Sequence, residues 1–357
     1  MLAGPFPVTA NSASSASLMD RETLVTKIAE LFSAGPVSFE CFMDAALYDP
    51  EIGYYAAGIR TVGSRGDFST SATLHPVLGK AIAAWLQSFH TSVFAPLHII
   101  EVGAGTGALA KSVLDSLGLL GRARLNYHIV EVSRPLKAQQ QELLKRNRIT
   151  WHEDMRSALK ACDGAAHIFS NELVDAFPCR VFIKSSDRWQ ELALELRDGS
   201  VTETFLPLSP EEKFPESNFP DGQRIEVQSR YREWLAGWLP DWKSGNMLTI
   251  DYGDSFPQLY RRRPRGTLRA YFRHERLEGS AVYQRFAKQD ITADVNFSLL
   301  QEWGEALKLQ TVQLERQSHF IQRMLSKKAL KVNDAAQDYL LRQSGPGDAF
   351  QVLHQRR

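Results

Sequence analysis

The sequence has few cysteines, no long apolar run and almost no net charge, and each shortage removes a class of protein. Three cysteines, Cys41, Cys162 and Cys179, stand in 357 residues. So sparse and odd a set, at this spacing, builds neither a disulfide framework nor a zinc site. Reduced thiols in a cytoplasmic protein are expected, and no metal site is read. No stretch of about 18 consecutive apolar residues occurs, so no membrane insertion is expected. The 42 basic and 41 acidic residues leave a formal charge of +1. That balance supplies no global field for nucleic acid or an anionic membrane. The opening MLAGPFPVTANSASSASLMD contains no Arg or Lys. It lacks the features of a secretory signal or a transit peptide, and residues 1–20 read as a disordered tail.

Helical spacing of apolar residues appears at 21–34 and 38–48, with Ser38 as N-cap and Pro50 ending the second segment. A Gly-rich stretch without periodicity follows, too long for a routine connector, which suggests a functional loop. A helix is expected from about Pro76 to Phe89. From residue 97 strands and helices alternate: LHIIEV, GALAKSVLDSL, NYHIVEV, RPLKAQQQELLKRN, RITWHED, then AHIFSNE. This order predicts an α/β fold with a parallel, doubly wound sheet. Residues 180–206 read as antiparallel strands, and NMLTIDYG (246–253) as a further buried strand. An arginine-rich loop is expected at about 258–280. The expected division is a helical extension with a covering loop at 21–95 and a core of 96–180 with 245–325. An inserted substrate-side subdomain follows at 181–244, and a C-terminal tail at 326–357.

Ligands of such sheets sit at the carboxyl ends of the strands. There the sequence reads HIIEVGAGTGAL (98–109), with Glu101 ahead of Gly103, Ala104, Gly105 and Gly107. The spacing is G-x-G-x-G, not G-x-G-x-x-G. In a dinucleotide site the pyrophosphate would rest close to Glu101, and unit charges about 4 Å apart interact by several kcal/mol when shielded from water. A cationic nucleoside without phosphate reverses the sign. S-adenosylmethionine is such a ligand. Glu131, ending the second strand, suits the ribose hydroxyls. Asp154 and Met155, after the third, suit the adenine amino group and face. After the fourth strand come Asn171, Glu172 and Asp175. Spaced by three, the two acids would share one face of a helical turn and grip a guanidinium.

Together these stretches resemble the family that contains MidA and the mitochondrial complex I assembly methyltransferase. The matching blocks include FECFMDAALYDPEIGYY, GDFSTSA, IIEVGAGTGAL, SNELVDAFP, LTIDYG, GTLRAYFRH and DITADVNF. The resemblance implies a Rossmann-like class I methyltransferase using S-adenosylmethionine, with protein arginine methylation linked to respiratory complex I. It further implies a lid of Gly66, Asp67, Phe68, Thr70 and Ser71, and a protein substrate. Arg269 and His274 are expected on the substrate side. Relatives that read TAHVDF differ here, where Asp294 and Asn296 stand in TADVNF. The run RRRPRGTLRAYFRH could stack on RNA, but the neutral overall charge argues against it. Two rivals remain: a small-molecule methyltransferase, and a non-catalytic assembly factor that keeps the cofactor pocket.

Overall fold

The computed structural model describes residues 14–58, 75–89, 96–186, 188–208, 219–273, 275–326, 330, 334–342 and 345–357. The chain opens with α1 (Ser14–Leu31), the short strand β1 (Val37–Ser38), α2 (Phe39–Tyr48) and α3 (Val77–Gln87). Alternation follows: β2 (Leu97–Val102), α4 (Ala108–Ala123), β3 (Leu125–Val130), α5 (Arg134–Leu143), β4 (Ile149–His152), α6 (Met155–Ala161) and β5 (His167–Asn171). Next come four strands, β6 (Arg180–Ser185), β7 (Arg188–Arg197), β8 (Ser200–Leu206) and β9 (Arg224–Val227), then α7 (Ser229–Trp238) and β10 (Asn246–Asp254). Short strands β11 (Arg269–Phe272), β12 (Glu275–Leu277), β13 (Asp290–Thr292) and β14 (Val295–Asn296) precede α8 (Phe297–Ala306). The remaining elements are β15 (Gln310–Arg316), α9 (Gln317–Met324), α10 (Ala335–Leu341), α11 (Pro346–Ala349) and β16 (Phe350–Arg356).

The main sheet has the order β15-β16-β10-β5-β2-β3-β4. From β10 to β4 all pairs are parallel, while β16 is antiparallel to both β10 and β15. The period-2 alternation of strands sends neighbouring side chains into separate cores. Ile99, Ile129, Phe169 and Ile250 pack with α3, α4 and α9 on one face. Ile100, Val130, Ile168 and Met247 pack with α6, α7 and α8 on the other. Local signals agree with the elements. Ser38 caps α2, accepting from the Cys41 amide at 3.2 Å, and Ser133 caps α5 with Pro135 in its first turn.

A second, antiparallel sheet has the order β1-β7-β6-β9, with β8 on β7. Phe39, Phe42, Met43 and Leu47 of α2 pack on its Val181, Leu192 and Leu194. The 21–95 segment is therefore shared between two cores: α2 with this sheet, α3 with the main one. The arginine-rich stretch is not all loop, since β11 pairs with β12 and β13 inside a third small sheet.

Two expectations at the ends need correction. Residues 14–20 are helical in α1. The 326–357 segment is not a tail, because β16 fills the main sheet between β10 and β15. Its polar positions hid it: Gln351 and Gln355 are buried, and Gln351 Nε2 donates to Asp254 Oδ1 at 3.2 Å. No helix of the described residues is long and apolar enough to cross a membrane.

Candidate functional site

A cleft of about 700 Å³ opens at the carboxyl ends of β2, β3, β4, β5 and β10. The lining includes Glu101, Gly103, Ala104, Gly105, Glu131, Asp154, Asn171, Glu172, Asp175 and Arg269. The five lid positions, Gly66, Asp67, Phe68, Thr70 and Ser71, lie outside the described residues, as does His274. A separate cluster, His98, His128 and Cys162, holds its ligand-type atoms within 4.8 Å of one another, away from the cleft lining.

At the Gly-rich end, Gly103 and Gly105 take φ of +66° and +55°. A Cβ at Gly105 would meet nothing within 4 Å, so the turn leaves open space beside the backbone. Glu101 is 2% exposed, and its Oε2 accepts from the Tyr127 hydroxyl at 2.6 Å. Burial pushes its carboxyl up to about 7, against the pull of that hydroxyl. Glu131 is also raised by burial. Its Oε1 accepts from the Ser133 amide at 2.9 Å and its Oε2 from Gln140 Nε2 at 2.9 Å. The Val132 amide is a third donor, which leaves one of the four acceptor sites for a ligand hydroxyl. Gln140 also donates to the Gly105 carbonyl at 2.8 Å and accepts from Trp151 Nε1 at 3.0 Å. One fully buried side chain thus ties the Gly turn, Glu131 and β4 together. The sequence pattern did not single it out, because a polar residue on a helix carries no mark of what faces it.

Two residues of the expected set do not line the cleft. Gly107 sits behind it as the left-handed N-cap of α4, against Gln140 and Leu144. Met155 is 2% exposed and packs with Ala158 and Leu159. The reason is local: Asp154 Oδ1 caps α6 through the Ser157 amide at 2.8 Å, which turns the next side chain into the core. Glu153 and Val132 border the cleft there, Val132 with 68% of its surface exposed.

The other end is acidic and aromatic. Asn171 Nδ2 donates to Glu172 Oε1 at 2.9 Å, while the buried Asn171 Oδ1 has no donor among the described residues. Residues 172–175 form a turn rather than the expected helix, and Glu172 has φ of +54°. Asp251 holds this turn. Its Oδ2 accepts from the amides of Leu173, Val174 and Asp175 at 3.1, 2.8 and 3.3 Å, and its Oδ1 from Tyr252 at 2.8 Å. Glu172 and Asp175 therefore reach one cleft by a carboxylate-capped turn. Burial, then the neighbouring Asp251, pushes Asp175 well above the usual carboxylate range, with Arg269 opposing. Asp44 and Asp290 add two more carboxyl groups to the lining. The Tyr55 hydroxyl donates to Asp290 Oδ1 at 2.8 Å, and that of Tyr48 to the Ala176 carbonyl at 3.0 Å. Phe177 and Trp234 complete the wall, with ring centroids 5.5 Å apart. Tyr55 and Asp290 lie within matching blocks, but the sequence pattern does not single them out, because they meet across 235 positions of chain.

The departures in TADVNF have structural uses. Asp294 pairs with both Arg269 and Arg263. Arg269 is 5% exposed, and its Nε donates to the Tyr271 hydroxyl at 3.1 Å. Burial alone would lower its pKa, but Asp294 raises it further above the ordinary value. Asn296 caps α8 through the Ser298 amide at 3.1 Å.

The residues present fit S-adenosylmethionine: open space at Gly105, a Glu131 carboxylate at the end of β3, and an orphaned Asn171 oxygen. Comparisons agree. Residues 77–314 match the family described as "Putative S-adenosyl-L-methionine-dependent methyltransferase". The mitochondrial protein arginine methyltransferase NDUFAF7 of Danio rerio is 24% identical over 319 residues, covering 81% of this chain and 73% of that protein. Its human counterpart is 25% identical over 341 residues, covering 84% and 72%. A crystal structure from Burkholderia thailandensis, bound to S-adenosyl-homocysteine, aligns with a TM-score of 0.82 at 26% identity, covering 99% of this chain and 95% of that one. The relatives are named as mitochondrial, which overturns the cytoplasmic location expected from the cysteines and the first 20 residues. Fold, cleft chemistry and the match over 77–314 lead to one assignment: the chain belongs to this family of S-adenosylmethionine-dependent methyltransferases.

Proposed function

We propose that this methyltransferase modifies arginine side chains of a protein substrate. The observation that carries the reading is the acidic acceptor end, where Asp44, Glu172, Asp175 and Asp290 border one cleft. A guanidinium is planar, permanently charged and able to donate in two directions, which suits several carboxylates around one point. S-adenosylmethionine, when bound, supplies an electrophilic methyl on a sulfonium. The protein's work is then alignment, water exclusion and disposal of one proton.

In this reading Glu131 accepts the ribose hydroxyls, and Glu101 with the free Asn171 oxygen faces the cationic amino-acid end. Tyr48, Tyr55, Phe177 and Trp234 exclude water. Glu172 and Asp175 orient the guanidinium so that one nitrogen faces the methyl carbon. As the carbon–sulfur bond breaks and the carbon–nitrogen bond forms, the nitrogen releases a proton toward this carboxylate pair. The names of the relatives support arginine as acceptor. Against a small-molecule substrate stands the shape of the site. Tyr252, Arg269 and Tyr271 border both the cleft and a second groove, so a long substrate reaching the cleft would have that groove beside it.

The test is transfer of isotope-labelled methyl to respiratory complex I subunits and to arginine peptides, read by mass spectrometry. Methylarginine is expected with wild type. Glu172→Gln is expected to keep cofactor affinity and lose transfer by about a hundredfold or more. Cofactor binding with transfer to no protein would favour the scaffold reading. Label found only on small molecules would favour the other rival.

A further inference from the structure

The arginine run that the cofactor chemistry leaves unused forms part of a second groove of about 1070 Å³, beside the first. Tyr252, Arg269 and Tyr271 border both. The groove is rich in charge, and most of it is internally balanced. Glu203 takes Arg224 through two bonds of 2.8 Å, Asp254 takes Arg316 at 2.6 Å, and Glu278 takes Arg276 at 2.8 Å. Asp294 takes Arg263 and Arg269. Arg262 and Arg265 are left over: both are exposed and neither has a carboxylate partner among the described residues.

These two guanidiniums stand on a fixed loop. The Arg224 amide donates to the Pro264 carbonyl at 2.8 Å, and Gln223 Nε2 donates to the Arg263 carbonyl at 2.9 Å. Glu226, 1% exposed, accepts from the Thr267 amide at 2.8 Å and from its hydroxyl at 3.0 Å. A Cβ on Gly266 would come within 2.1 Å of Glu226 Oε1, so the turn holds its glycine. A buried carboxylate thus fixes the backbone that presents two arginines to solvent, so binding has to order their side chains but not the loop.

We infer that this groove binds an acidic stretch of the substrate protein, next to the methylated residue and on one side of it only. The inference rests on the protein-arginine reading above and adds its specificity. The signs are complementary along the substrate: a cationic side chain enters the acidic cleft while neighbouring Asp or Glu side chains meet Arg262 and Arg265. The paired carboxylates interleaved in the groove suit a peptide with a few acids and oppose a continuous phosphate backbone.

The probe is a set of labelled peptides with one central arginine. They carry three glutamates, three alanines or three lysines, before or after it. Binding to the full chain saturated with S-adenosyl-homocysteine is read by fluorescence anisotropy, and transfer by mass spectrometry. Glutamates on one side are expected to tighten binding about tenfold over alanine, with the gain fading at high salt. The double variant Arg262→Asn, Arg265→Ala is expected to lose that gain while its S-adenosyl-homocysteine affinity stays unchanged. Asparagine is chosen because Arg262 has φ of +62°, which it tolerates. Equal binding of all peptides, an equal gain from either side, or tighter binding of single-stranded RNA in competition would overturn the inference. Methylarginine formed without regard to flanking charge would sink the groove and leave the function standing. Charge-selective binding without methylarginine would do the reverse.

Discussion

Glu101 shows what a single buried carboxyl can report. Burial moves it from an ordinary 4.5 up to about 7, so the folded protein holds that proton more tightly than the unfolded chain does. Its contribution therefore favours folding below about pH 4.5 and is lost as pH rises through about 7. One pKa unit corresponds to about 1.36 kcal/mol. Wild type should thus lose roughly 3 kcal/mol relative to Glu101→Gln between pH 4 and 8, read as the difference between their urea unfolding curves. A cation in the cleft reverses the preference, because it favours the ionised form. Affinity for S-adenosylmethionine should then climb through neutral pH in wild type and stay flat in Glu101→Gln. Gln140 tests positioning in the same way. Gln140→Leu strips a partner from Glu131, from the Gly105 carbonyl and from Trp151. The Michaelis constant for the methyl donor should rise about tenfold or more with turnover largely kept. An unchanged constant would remove Gln140 from the site. At this scale the sequence was informative where chemistry and position coincide. Glu101 is marked by the glycines after it, and Glu131 by its place at a strand end. Gln140, Asp251 and Asp290 carry no such mark, since their partners are brought in by tertiary contact.

Elements place these residues, and the turn after β5 is the clearest case. Its acids were legible as a pair, but their geometry was not: a helix was expected, and Asp251 from β10 replaces helical hydrogen bonds by accepting three amides at one oxygen. A side chain 76 to 78 positions away in sequence cannot be inferred from local spacing. The alternating strands and helices of 97–171 were readable from their order and from the apolar faces of β2, α4, β3 and β5, although α5 buries only Leu136 and Gln140. β1, with two residues, and β16, with buried glutamines, lack that signature. The loop between β13 and β14 makes its own prediction. Asp294 neutralises Arg269, which is nearly inaccessible. Asp294→Ala would leave a buried guanidinium uncompensated and should cost about 3–5 kcal/mol in chemical unfolding. A loss under 1 kcal/mol would mean that Asp290 or Asp175 takes over the charge.

For the whole molecule, the decisive element is the last one. The parallel strands β4, β3, β2, β5 and β10 form a sheet whose cofactor ends converge on the cleft, and β16 binds that sheet to β15. It pairs with β10 along seven residues, from Asn246↔Arg356 to Tyr252↔Phe350, and with β15 from Gln310↔Arg356 to Arg316↔Gln351. It sends Phe350 and Val352 into one core and Leu353 into the other, each about 1% exposed. Burying such side chains contributes about 1.5–3 kcal/mol each. Three of them, with two ladders of hydrogen bonds, match the roughly 5–15 kcal/mol that separates folded from unfolded domains. Removal also leaves β10, which carries Asp251 and so the acidic turn, as an open sheet edge. Deleting 350–357 should therefore abolish cooperative thermal unfolding and the near-ultraviolet dichroism of the tryptophans, and with them binding of S-adenosyl-homocysteine. A truncated chain that still melts cooperatively, with its transition raised by the ligand, would show that the five parallel strands sustain the cleft without β16.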